Sequence, residues 1–162
     1  MIREATMDDL TQLQQIYNDA VMNTTATFDT EVKDRADRIQ WFEAHQQSPY
    51  VILVHEEKGE VCGYASLSQY RTRKAFDSTA EVSIYIHKDH RGKGIGNQLM
   101  EAILENARSN ERLHTVMSLI TGDNITSRHL HEKYGFVYCG ITRQVGYKHD
   151  QWLDLTYYQI MV

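Results

Sequence analysis

The stretch Glu81–Leu99, EVSIYIHKDHRGKGIGNQL, constrains this chain more than any other. Val82, Ile84 and Ile86 alternate with Ser83, Tyr85 and His87, the period of a half-buried strand. Arg91-Gly92-Lys93-Gly94-Ile95-Gly96-Asn97 comes next, and Ile95, Leu99, Ala102 and Ile103 then recur at helical spacing. A strand therefore runs into a glycine-rich turn, and the turn opens a helix. The first amides of a helix have no intrahelical partner and point outward, with the positive end of the dipole behind them. Glycines let an anion approach that backbone closely, and Arg91 and Lys93 add charge. The pattern predicts a pyrophosphate cradle. It is not a P-loop, because no Ser or Thr follows Lys93. Nor is it the dinucleotide fingerprint, because the glycines are spaced G-x-G-x-G. The plainer alternative is a glycine-rich turn with no ligand.

A chain of 162 residues suits one domain, 1–162, with a real core. Its formal charge of −5 argues against a nucleic-acid partner, which selects a basic face. Cys62 and Cys139 show no C-x-x-C spacing and read as two buried small hydrophobes in a reducing compartment. No H-E-x-x-H or paired Cys/His spacing appears, so no metal is expected and the eight histidines read as scattered surface groups. The beginning MIREATMDDL has no apolar signal core, and no window is long enough to span a membrane. The expectation is a cytoplasmic protein.

The remaining periodicity predicts a strand over 1–5 and a helix after a Thr6/Asp9 capping box, with Leu10, Leu13, Ile16 and Ala20 on one face. Residues 23–31 read as a loop around Phe28. Asp34 caps a second helix carrying Ala36, Ile39, Phe42 and Ala44. Strands are expected at 50–54, 61–69, 79–87, 115–120, 136–145 and 152–160, and helices at 95–107 and 124–134, the last stopped by Gly135. This order implies a mixed sheet with helices on both faces. Tyr70-Arg71-Thr72-Arg73-Lys74 is a basic cluster just ahead of the central strand, and such clusters are usually solvated surface.

The R-G-x-G-x-G turn after a strand resembles the acetyl-CoA motif of the GNAT superfamily of N-acetyltransferases. Asn124, Ser127, Leu130, His131, Lys133, Gly135 and Phe136 resemble that superfamily's second signature, N-x-x-S-x-x-L-[YH]-x-K-x-G-F. A finer likeness covers nearly the whole chain. Ala26-Thr27-Phe28-Asp29-Thr30-Glu31, the segment from Tyr70 through Ala75-Phe76 to Thr79-Ala80-Glu81, and Gly146-Tyr147-Lys148-His149 with Trp152 and Asp154 look like the phosphinothricin acetyltransferase branch. That branch includes relatives acting on methionine sulfoximine and methionine sulfone. His131 stands where many GNAT members have Tyr, as it does in that branch.

The resemblance implies an α/β (α+β) GNAT fold, with a mixed, mostly antiparallel sheet of about seven strands and about four helices. It implies acetyl-CoA as co-substrate, held by Ile84, Tyr85, Ile86, Arg91, Gly92, Lys93, Gly94, Ile95, Gly96, Asn97, Asn124 and Ser127. The acceptor would be a small amino-acid-like amine met by Phe28, Arg71, Arg73 and Phe76, with Arg73 as its acidic end's anchor. An ammonium has no lone pair, so a base is required, and Glu81 fits. Its plainer role is a strand-end carboxylate paired with an arginine. His131 would return a proton to the CoA thiolate or orient the amine. A homodimer is implied, with no nucleic-acid or membrane partner. Two other functions stay open: a protein or peptide N-terminal acetyltransferase, and a CoA-binding sensor without activity.

Overall fold

The structure is a computed structural model and describes residues 1–162. Its elements run β1 (Ile2–Glu4), α1 (Leu10–Asn23), α2 (Arg35–Ala44), β2 (Val51–Glu57), β3 (Glu60–Gln69), β4 (Thr79–Ile86), α3 (Ile95–Arg108), β5 (Thr115–Thr121), α4 (Ile125–Lys133), β6 (Val137–Lys148) and β7 (Gln151–Met161). The strands form one sheet in the order β1-β2-β3-β4-β5-β7-β6, antiparallel throughout except for β4 beside β5. The expected mixed sheet is therefore found. A parallel pair needs a crossover, and α3 supplies it.

Capping residues fix where the helices begin. Asp9 accepts the Thr6 N–H at 2.7 Å and a two-pronged contact from Arg3 at 2.7 and 2.8 Å. The Arg3 guanidinium holds the Asp9 carboxyl below its ordinary range. This box closes a 3-10 turn, Met7–Asp9, that leads into α1. Asp34 accepts the Asp37 N–H at 2.8 Å and starts α2.

The buried stripe of α2 differs from the expected one. Ala36 and Ala44 are exposed, and Arg38 and Phe42 turn inward with His45 just beyond the helix. The Arg38 guanidinium lies 4.7 Å from the Tyr17 ring centre and 4.9 Å from that of Trp41, so its flat face is buried against aromatics. Apolar counting misses such a residue because its charge hides the flat stacking surface.

Two layers of core cover the sheet. Leu10, Leu13 and Ile16 of α1 and Phe42 of α2 pack on Ile52, Val54 and Tyr64. On the other face Leu99, Met100 and Ile103 of α3, all fully buried, pack on Leu67, Val82 and Val116. Each such side chain contributes about 1.5–3 kcal/mol relative to exposure.

Two composition-based readings need correction. Cys62 is buried, but Cys139 is exposed, because it lies on the outer strand of the sheet. Three histidines, His45, His55 and His131, are buried rather than on the surface, each with a ring nitrogen in a hydrogen bond.

Besides register shifts between β6 and β7, two irregularities of the sheet lie nearer its centre. His55 pairs with Gly63 and Glu56 with Val61, so Cys62 is an extra residue in β3, a bulge that re-aims it and its neighbours. The second is a break in the sheet. β4 pairs with β5 only at Thr79↔Thr115, Ala80↔Val116 and Glu81↔Met117. Beyond Glu81 the strands diverge. β4 stays with β3 as far as Ile86, and β5 stays with β7 as far as Thr121.

Candidate active site

The break leaves one side of β4 without a partner. The His87 N–H donates to Cys62 O on β3 at 2.9 Å. Backbone groups alternate sides along a strand, so those of Ser83 and Tyr85 also face β3. Those of Val82, Ile84 and Ile86 then face the gap. A cavity of about 50 Å³ lies in it, between Val82–Tyr85 and Ser118–Ile120.

His131 lines that cavity and is 3% exposed. Its Nδ1 meets Ser127 O at 2.7 Å, which requires a proton on Nδ1. Nε2 of the neutral ring therefore accepts the Ser118 hydroxyl, 2.8 Å away. Burial pushes the His131 pKa down, and the Ser127 carbonyl partly offsets this. Phe136 packs edge-on against the ring at 4.9 Å.

A larger cleft, of about 1050 Å³, opens from the break along the starts of α3 and α4. Ile84, Tyr85, Ile86, Arg91, Gly92, Gly94, Ile95, Gly96, Asn97, Asn124 and Ser127 all line it, and Lys93 does not. Gly92 and Gly94 have φ of +75° and +80°, in the left-handed region that favours glycine. A Cβ on either would meet no protein atom within 4 Å, so the space over this turn is open for a bulky anion. Gly94 caps α3, and Asn124 caps α4 by accepting the Ser127 N–H at 3.1 Å. Two helix starts thus face one cleft. Arg91 is steered by Asp19, 3.2 Å from its Nη2, a partner that sequence pattern does not signal. Thr24, Thr25, Asp123 and Lys133 also line the wall. Of these only Lys133 had a signal, as part of the second signature.

Glu81 sits at the last paired position before the break. Alternation puts its side chain on the α1–α2 face, opposite the Ile84 side chain. It is partly buried, and burial raises its pKa above the ordinary value, while the charge of Arg71 lowers it in part. No arginine comes within ion-pair distance of it, so the plainer role of a paired strand-end carboxylate is not what the structure holds. Next along that face is Tyr85, in an aromatic group with Tyr17 at 5.3 Å and Tyr64 at 5.5 Å. Burial pushes the Tyr85 phenol up to about 12.

The four acceptor-side residues lie off the large cleft. Arg71 is exposed over the Tyr70 ring at 5.0 Å, and Phe76 meets Tyr70 edge-on at 5.7 Å. Arg73 is exposed, precedes the turn Lys74–Phe76 and makes no ion pair or side-chain hydrogen bond. Phe28 is 36% exposed and lies against Gly146 of β6, where a Cβ would come 2.2 Å from its ring. Its loop is fixed from behind. Lys148, buried, donates to Thr27 O at 2.8 Å, and Thr121 donates to Thr25 O at 2.6 Å. Tyr17 donates to Asp29 as well. Lys148 was legible only as part of a motif, and its role as a strap was not.

A sheet opened beside a carboxylate, with free strand amides in the gap and two helix starts around it, defines an acyltransferase that draws on a large anionic acyl donor. Comparison with known proteins agrees. An acetyltransferase (GNAT) domain matches residues 2–157, and the chain belongs to that family. It is 44% identical over 160 residues to the L-methionine sulfoximine/L-methionine sulfone acetyltransferase of Pseudomonas paraeruginosa, covering 98% of this chain and 92% of that one. The crystal structure of ribosomal-protein-alanine N-acetyltransferase from Brucella melitensis superposes with a TM-score of 0.96 at 39% identity, covering 100% and 99% of the two chains. A phosphinothricin acetyltransferase from Sinorhizobium meliloti, solved in complex with acetyl-CoA, gives 0.96 at 31% identity, covering 100% and 88%.

Proposed function

We propose that this enzyme transfers acetyl from acetyl-CoA to the α-amine of a small amino-acid-like acceptor such as methionine sulfoximine, methionine sulfone or phosphinothricin. The observation that carries this reading is the sheet break just past Glu81, with an unpaired carboxylate at its edge and the cleft opening from it. The named relatives support the acceptor class.

The open turn at Gly92 and Gly94, with Arg91 beside it, fits the diphosphate of acetyl-CoA, which supplies the activated acetyl thioester. Glu81 takes the proton that frees the amine's lone pair. The amine attacks the thioester carbon, the C–S bond breaks, and CoA leaves as a thiolate that takes up the proton the nitrogen sheds as the amide forms. The gap-facing N–H groups of Ile84 and Ile86 donate to the thioester oxygen as negative charge grows there. His131 acts here as a positioning residue. Its Nδ1 proton is committed to Ser127 O and its Nε2 holds the Ser118 hydroxyl in the gap. Arg73, with no partner of its own, is free to meet the acceptor's acidic end, and Phe28 covers the aliphatic stem. Arginine's planar fork suits paired oxygens.

Arg73→Ala should raise KM for the amino-acid acceptor by about ten- to a hundred-fold, the range for losing a charged hydrogen bond. KM for acetyl-CoA should stay as it was. Steady-state kinetics over both substrates checks this, and an unchanged acceptor KM places the pocket elsewhere. The acceptor class itself is tested by kcat/KM across phosphinothricin, methionine sulfoximine, methionine sulfone and an alanine-terminated peptide. The Brucella relative's name favours the peptide as a second reading, and preference for the peptide would replace the first.

The same reading includes a homodimer. Val137, Tyr138, Val145, Tyr147 and Trp152 are exposed along β6 and β7, whereas Tyr158 is fully buried and belongs to the core. It also places the enzyme in the cytoplasm, which suits two unpaired cysteines. No helix is long and apolar enough to cross a membrane.

A further inference from the structure

Outside the acetyl-transfer machinery, the bulged β2–β3 hairpin brings a second set of ligand-bearing side chains to one end of the sheet. Glu60 opens β3, and His87 and His90 flank the turn that leads from β4 to Arg91. One ligand atom from each lies within 4.8 Å of the other two. His90 Nε2 is 3.6 Å from Glu60 Oε1, and the two imidazole centres are 5.6 Å apart. In a tetrahedral site with bonds near 2.0–2.2 Å, neighbouring ligand atoms are about 3.3–3.6 Å apart. The His90–Glu60 pair already stands at the upper end of that spacing.

His90 supplies an independent observation. Its side chain is 14% exposed, and neither ring nitrogen makes a hydrogen bond. Nδ1 is one of only two buried side-chain polar atoms in the protein without a partner. Nε2, the nitrogen on the Glu60 side, is likewise without a hydrogen bond, so its lone pair is uncommitted and available to a ligand. His87 is steadied from its far side by Asp89, whose N–H stands 3.3 Å and whose Oδ2 stands 3.9 Å from Nδ1. Either tautomer has a neighbour there, and Nε2 is left for a ligand. The other orphaned atom is His55 Nδ1, in a comparable group with Glu57 and Cys62. That group is the poorer candidate, since His55 Nε2 is engaged by Gln98 at 3.2 Å.

We propose that Glu60, His87 and His90 bind one divalent transition ion of the Zn²⁺ class, with water completing its coordination. Two imidazoles and one carboxylate favour Zn²⁺ or Co²⁺ over Mg²⁺ or Ca²⁺. The ion takes no step in acetyl transfer. It ties the start of β3 to the turn before the glycine cradle, and His90 itself lines the acetyl-CoA cleft. Occupancy therefore alters acetyl-CoA affinity.

Equilibrium dialysis of tag-free, metal-stripped protein against Zn²⁺ tests this, with Co²⁺ absorption reporting the coordination geometry. One ion per chain is expected, with a visible Co²⁺ band of low coordination number. Glu60→Gln and His87→Ala should each weaken Zn²⁺ binding by at least the ~10–100-fold that even an outer partner of a metal ligand contributes. His55→Gln should leave it unchanged. Circular dichroism melts show whether the variants remain folded; Glu60 is exposed and His87 half-buried, whereas His55 is buried, so its melt is the one to compare first. Absence of stoichiometric binding to the unaltered chain overturns the proposal. So does binding that survives in folded Glu60→Gln and His87→Ala, or that vanishes in His55→Gln.

Discussion

Glu81→Gln should lower kcat by about 10²–10⁴-fold at neutral pH, the usual contribution of a general base. The substitution keeps the shape of a side chain at the last paired position of β4 and β5 and removes only its basicity. Because Glu81 makes no ion pair, no partner is stranded and the fold should be unaffected. The pH profile gives a second readout. Burial raises the Glu81 pKa and the Arg71 charge lowers it in part, so the acidic limb of kcat/KM should lie above the ordinary carboxylate range. Removing that charge with Arg71→Gln should move the limb higher still, since the ionised form loses its one nearby cation. His131→Asn should reduce kcat much less than Glu81→Gln if the ring only positions Ser118. A Glu81→Gln enzyme with near-normal kcat would remove Glu81 from the chemistry.

Gly94→Val should abolish saturable acetyl-CoA binding while the protein still folds. Two effects add. At φ +80° a β-branched residue is strained, at roughly 1–2 kcal/mol for the left-handed conformation. That cost is within the stability of an ordinary domain. The new side chain also projects into the open space over the turn, where a diphosphate would meet the first amides of α3. Calorimetry on a variant with an intact circular dichroism spectrum checks this. Unchanged affinity would mean that the cradle lies elsewhere.

Much of the fold and site was legible because it is local. The alternation of Val82, Ile84 and Ile86, the glycines of the turn, Asn124 at the start of α4 and Gly135 at its end each declare a conformation through their own chemistry. What was not legible depends on distant pairing. The break between β4 and β5 leaves no trace in either strand, since both alternate normally on each side of it. Arg38 reads as surface until Tyr17 and Trp41 are seen to bracket it. That Ser118 and Ser127, on different elements, would bracket the two nitrogens of His131 is equally invisible in the sequence. The same holds for Glu60 and His90, distant in the chain yet 3.6 Å apart in the fold.

The break also bears on how the molecule behaves when idle. A sheet normally has two edges, and this one has four, because the facing sides of β4 and β5 past Glu81 and Met117 are edges too. Unpaired strand edges invite other strands. Here the gap opens into a cleft walled by the starts of α3 and α4, which limits the room for a foreign strand. On the proposed mechanism those same edges supply the amides of the reaction, so one backbone feature carries both the hazard and the chemistry.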